Sequence, residues 1–171
     1  LGAHPLSGAL NGAIERSLFW KDKETGIWLK ARPDAIPTDS ADYTDVKTTR
    51  SVAWGALTQA IDRFGYYRQI ALIRDASRAV LGMDMQSFTL IFVEKNPPYA
   101  TRDVRVSAHD IEEGAKENRV AIRLFAKCVK ENRWPGPGEG NEGNETVNLS
   151  NISRERRAER LRLAGLNHGV E

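Results

Sequence analysis

Hydrophobic and polar positions along the chain change period several times, and the changes mark out its elements. Residues 5 to 12 read as a short helix ended by Asn11 and Gly12. From 13 to 20, Ile14, Arg16, Leu18 and Trp20 alternate with Glu15, Ser17 and Phe19, the period-two pattern of a strand with one partly polar face. A polar turn over Lys21 to Gly26 returns the chain as a strand from Ile27 to Pro33, so the pair reads as a hairpin with Gly26 in a left-handed position. A polar loop from Pro37 to Asp42, whose Asp39 and Asp42 read as turn formers, leads to a strand from Tyr43 to Thr48. Ser51 is placed to cap a helix over Val52 to Arg63. After Phe64-Gly65, a second helix is expected over Tyr66 to Leu81.

Ser87 to Glu94 is apolar on both faces, as expected of a central strand covered on either side. Asn96-Pro97-Pro98-Tyr99 breaks it, and a more polar strand follows from Arg102 to Ser107. Between Ala108 and Arg133, Ile111, Ala115, Ile122, Phe125 and Val129 are spaced around one face of an amphipathic helix. Glu112, Glu113, Lys116, Glu117 and Lys127 form its solvated face, and His109 belongs to its polar start. Trp134-Pro135-Gly136-Pro137-Gly138 ends the fold. The chain therefore divides into a folded domain over 1–135, a Gly-, Asn- and Glu-rich linker over 136–152 and a charged, helix-prone tail over 153–171.

Composition narrows the function classes. The 171 residues suffice for one domain with a core, and a net charge of +2 does not by itself announce a nucleic-acid partner. The single cysteine, Cys128, excludes an internal disulfide, a zinc cluster and a cysteine-ligated iron–sulfur centre. It lies in an apolar helical pattern and reads as buried packing. No apolar run approaches a membrane span and no signal peptide is visible, so the expected compartment is the cytoplasm, with no membrane partner.

The chemistry concentrates between Arg32 and Gln69. In a strand, Asp45 and Lys47 project to one face while Val46 turns into the core. Asp34, at the end of the preceding hairpin, can bring a second carboxylate beside them. Two acids and a lysine on adjoining strand ends suit phosphodiester hydrolysis with a hard metal, since Mg²⁺ is held by one or two carboxylates plus substrate phosphate and water. At the following junction, Thr48, Thr49, Arg50 and Ser51 offer hydroxyls, N–H groups and a guanidinium to a phosphate; simple helix capping is the other reading.

Taken together, Ile14 to Trp20, Thr25-Gly26, Lys30-Ala31-Arg32-Pro33-Asp34, Asp45-Val46-Lys47-Thr48-Thr49, Tyr66 and Gln69 resemble the PD-(D/E)XK nuclease core of the RecE (exodeoxyribonuclease VIII) type. That type is more distantly similar to lambda exonuclease and the RecB nuclease domain. The likeness covers roughly residues 1 to 135. It implies an α/β, restriction-endonuclease-like mixed central sheet flanked by helices, to which composition adds a flexible C-terminal tail. It also implies that the N-terminal part is truncated, because a helical segment bearing a histidine lies upstream in that type and His4 does not replace it.

The same resemblance implies the site. Asp34 and Asp45 would bind Mg²⁺, or Mn²⁺ in its place, with the backbone carbonyl of Val46. Lys47 would position the water, Glu15 would be an auxiliary acid, and Tyr66 and Gln69 would orient substrate. Lys30, Arg32, Thr48, Thr49 and Arg50 are the candidate DNA phosphate contacts. Glu15 has an alternative as a strand-edge carboxylate paired with Arg16 or Lys30, and Tyr66 and Gln69 as a buried aromatic and a satisfied amide. The expected activity is exonucleolytic hydrolysis at double-stranded DNA ends in a recombination or prophage setting, in a possible homo-oligomer working with a single-strand annealing protein. Two competing readings remain: a DNA-binding or assembly module that keeps the fold without cutting, and a nuclease for RNA or structured DNA.

Overall fold

A computed structural model describes residues 12–38, 40–136 and 150–163. The helix expected over 5–12 and the turn role of Asp39 fall outside the described residues, except that Gly12 opens a strand. Five strands lie in the first part of the chain: β1 (Gly12–Ile14), β2 (Leu18–Lys21), β3 (Trp28–Ala31), β4 (Ala35–Pro37) and β5 (Asp42–Thr49). Two helices follow, α1 (Trp54–Phe64) and α2 (Tyr66–Ala76), then β6 (Ser87–Glu94), β7 (Thr101–Arg105), α3 (Ala108–Glu131) and α4 (Asn151–Leu163). The result is a mixed α/β fold with a central sheet flanked by helices.

The central sheet has the order β5-β6-β7, with β5 and β6 parallel and β6 and β7 antiparallel. Parallel pairing demands a long crossover, and α1 and α2 supply it. Gly65, at φ +63°, separates the two helices in a left-handed conformation that costs a glycine little. Its substitution would strike the Arg68 guanidinium, which lies 2.3 Å from the place of an added Cβ.

Several expectations need correction. The strand expected over 13–20 is two strands, because Glu15 takes φ +52° and breaks the extended run. β1 pairs with β4, a strand the sequence pattern did not reveal, while β2 forms the expected hairpin with β3. Three-residue strands are too short for a period to register. α1 begins later than its pattern; its N-cap is Ala53, whose N–H is bonded to the Ser51 Oγ at 3.1 Å. The second helix ends in a π turn over Ser77–Leu81, closed by Gly82 at φ +65°.

The core gathers on one face of the sheet, where Tyr43, Phe88, Leu90, Phe92 and Val104 meet Leu57, Ile70, Ile73 and Ile111 from the helices. Contrary to the alternation argument, Val46 does not belong to this cluster. Tyr43, Asp45 and Lys47 stand opposite Phe88, Leu90 and Phe92, and paired residues share a face. The polar pair therefore points beneath the helices and Val46 to the other face. Helix α3 departs too: Ile111 and Cys128 are buried, but Phe125 and Val129 are 47% and 49% exposed. With 24 residues against the 11 of α2, α3 runs about 20 Å beyond what α2 can cover.

Beyond Arg133 the described residues 134–136 and 150–163 belong to a second unit. Its helix α4 buries none of its residues, as an arginine-rich segment with few apolar positions dictates. No helix among the described residues is long and apolar enough to cross a membrane.

Candidate active site

The site is built from the end of the β3–β4 connection and the second half of β5. Asp34 occupies the bend before β4, and its Oδ2 accepts the backbone N–H of Val46 at 2.9 Å. That bond fixes Asp34 to the strand carrying Asp45 and Lys47. A second tie comes from the other side, where the N–H of Glu15 donates to the Asp34 carbonyl at 3.0 Å.

Asp45 is 1% exposed. Its Oδ2, shut off from solvent, is held in an ion pair by the Lys47 Nζ. Burial pushes the Asp45 carboxyl up to about 6, the Lys47 ammonium opposes the rise, and the Asp34 charge adds to it. Lys47 in turn lies over the Tyr66 ring, with Nζ 5.0 Å from the centroid, a cation–π arrangement. The Tyr66 ring is held by Phe92 and Phe64 at 6.1 and 5.8 Å.

The structure thus brings together Asp34, Asp45, Val46, Lys47 and Tyr66. Gln69 is half-buried, three residues from Tyr66 on α2 and so on the same helical face. Glu15 lies close through its backbone, but its exposed carboxylate is ion-paired with the Nε of Arg32 at 2.9 Å, a partner different from the Arg16 or Lys30 of the strand-edge alternative. Among the expected phosphate contacts, Lys30 stands over the Phe19 ring at 5.6 Å on the hairpin. Thr49 is turned inward, its Oγ1 donating to the Ser51 carbonyl at 3.1 Å. Thr48 and Arg50 are exposed.

Three residues absent from the sequence-based site matter to its frame. Phe92 stands opposite Lys47 in the sheet and supports Tyr66. Glu94 accepts the Val52 N–H at 2.9 Å, and Arg102 donates to the Val52 carbonyl at 3.1 Å. Both contacts span 42 residues or more in sequence, beyond any periodic signal.

No group of three or more His, Cys, Asp and Glu that could hold a metal ion occurs among the described residues. The donor set nevertheless fits a hard divalent cation. Mg²⁺ takes oxygen ligands, and one or two carboxylates suffice where substrate phosphate and water complete the shell. The buried Asp45 carboxylate, whose present counter-ion is Lys47, and the neighbouring Asp34 carboxylate are ligands of that kind.

A sequence profile described as a PDDEXK-like domain of unknown function (DUF3799) matches residues 3–144. The chain belongs to that family. Among solved structures, one from Eubacterium rectale carrying the name "putative exonuclease" is similar with a TM-score of 0.57 and 14% identity. The match covers 85% of this chain and 57% of that one, so this chain spans little more than half of its structural relative, and the likeness is one of fold. No curated protein sequence matches significantly.

Proposed function

We propose that this PDDEXK-like domain is a Mg²⁺-dependent DNA exonuclease acting at duplex ends. The observation that carries the reading is the pairing of the buried Asp45 Oδ2 with Lys47, beside an Asp34 that Val46 holds in place. Asp34, Asp45 and the Val46 carbonyl would hold the cation. When bound, Mg²⁺ or Mn²⁺ supplies Lewis-acid neutralisation of phosphate charge.

The residues of the chain do the rest. Lys47, kept over the Tyr66 ring, positions the attacking water and stabilises negative charge building on the phosphate. Its ammonium needs little reorganisation because Asp45 and Tyr66 already hold it. Tyr66 and Gln69 orient the substrate, while Arg50, Thr48 and Lys30 meet backbone phosphates without reading sequence. Thr49 and Arg32 join them only by giving up their present partners. Assembly as a homo-oligomer, cooperation with a single-strand annealing protein and a cytoplasmic setting belong to the same proposal.

A second reading, a binding module that keeps the fold without cutting, draws support from the Glu15–Arg32 ion pair, which leaves two carboxylates where a third was expected. Release of acid-soluble nucleotides from linear and circular duplex DNA separates the readings. We expect linear DNA alone to be degraded, with Mg²⁺ and not with chelator, and Lys47→Ala to lower the rate at least about 100-fold. Loss of neither DNA, with duplex binding retained, would establish the binding module.

A further inference from the structure

Across the central sheet, Lys47, Phe92 and Arg102 form one row: Lys47 is opposite Phe92, and Phe92 is opposite Arg102. Opposed residues share a face, so Arg102 rises on the same side as Lys47, two strand spacings away, or about 10 Å between backbones. There its guanidinium lies 5.9 Å from the centre of the Trp54 ring. Trp54 opens α1 and is 66% exposed, an unusual position for a residue that normally buries most of its surface.

The indole is not there through slackness of the chain. Glu94 binds the Val52 N–H at 2.9 Å and Arg102 the Val52 carbonyl at 3.1 Å. The N–H of Lys95 donates to the Thr49 carbonyl at 3.0 Å. Three bonds from the strand β6, its end and β7 thus clamp the segment between Lys47 and Trp54. A large flat ring on a fixed backbone, with a cation beside it, has the parts on which proteins stack unpaired nucleic-acid bases.

We propose that Trp54, backed by Arg102, is a stacking platform for an unpaired DNA base next to the carboxylate–lysine site. The proposal rests on the nuclease reading for its substrate and adds that the bound end is single-stranded at this point. Charge fixes where the nucleotide lies. Beyond Trp54 the cleft beside α1 and β7, a cavity of about 580 Å³, is lined by four carboxylates, Asp62, Asp110, Glu113 and Glu117, against one cation, Arg105. Those carboxylates repel a phosphate chain, which leaves the Arg102 end of the indole, toward Lys47, as the side the strand follows. Stacking makes no demand on base identity, so the platform grips any sequence.

The test is binding of a fluorescein-labelled oligothymidylate and of a blunt duplex by fluorescence anisotropy, in chelator so that nothing is cut. Wild type is compared with Trp54→Phe, Trp54→Leu and Trp54→Ala. Each base–aromatic stack contributes about 1–3 kcal/mol, so Trp54→Ala and Trp54→Leu should weaken oligothymidylate binding about 5- to 150-fold. Trp54→Phe should keep most of it, and blunt-duplex binding should change less than twofold in all three.

Wild-type affinity in Trp54→Leu would overturn the proposal, since leucine keeps apolar bulk but no ring, and so would equal losses in Trp54→Phe and Trp54→Leu. The outcome is separable from the nuclease reading. Cleavage with intact Trp54→Leu binding sinks the platform alone, whereas ring-dependent binding without Mg²⁺-dependent cleavage sinks the nuclease alone.

Discussion

The Asp34 carboxylate accepts the backbone N–H of Val46 at 2.9 Å, so an acid outside β5 is locked to the one residue lying between Asp45 and Lys47. Its position is thereby set by the strand itself. Asp34→Ala leaves that amide without its partner and should cost about 1–3 kcal/mol in urea unfolding. Asp34→Asn retains an acceptor oxygen and should unfold near the wild-type midpoint. Metal-dependent DNA cleavage should be lost in both, which distinguishes the acid's chemical role from its structural one.

Asp45 makes stability depend on pH in an unusual direction. Burial pushes its carboxyl up to about 6 in the folded protein, from an ordinary value of 3.8. Between those values the folded chain holds a proton that the unfolded chain has released. Unfolding free energy should therefore fall as pH rises from about 4 to 6, by up to about 1.4 kcal/mol per pH unit. Chemical denaturation in chelator across that range, for wild type and Asp45→Asn, checks this: the difference between the two should show the downward slope.

Asp22 behaves oppositely. Burial raises its carboxyl, but bonds from the Thr25 hydroxyl and N–H and from Arg119 outweigh burial and hold it below the usual range. Its stabilising contribution is present above about pH 4 and disappears as pH drops through the folded value. Because Arg119 joins the β2–β3 hairpin to α3, Arg119→Ala should cost about 1–3 kcal/mol at pH 7 and less at pH 3.

Gly114 decides how closely α2 and α3 approach. A Cβ there would lie 2.8 Å from the Tyr67 carbonyl oxygen and 2.9 Å from its ring. Gly114→Ala should destabilise by about 1–3 kcal/mol, although alanine is intrinsically the better helix former. Gly55→Ala in α1, where nothing stands within 4 Å, should instead stabilise by up to about 1 kcal/mol. Thermal unfolding of the two variants should move in opposite directions.

By itself the amino-acid sequence determined the elements whose signals are local. The apolar run from Ser87 to Glu94 is β6 residue for residue, the amphipathic pattern starts α3 at Ala108, and Gly65 divides α1 from α2. Such limits follow from backbone conformation, capping and periodicity within a few residues. The β1–β4 pairing was decided only in the tertiary structure, because short strands acquire their identity from a partner. So was the direction of Asp45 and Lys47. Alternation shows that the two share a face, but which face lies beneath α2 depends on the pairing with β6 and the packing of the crossover helices. That choice buries Asp45, lays Lys47 over Tyr66 and aligns both with Arg102 and Trp54, contacts made between residues far apart in the chain.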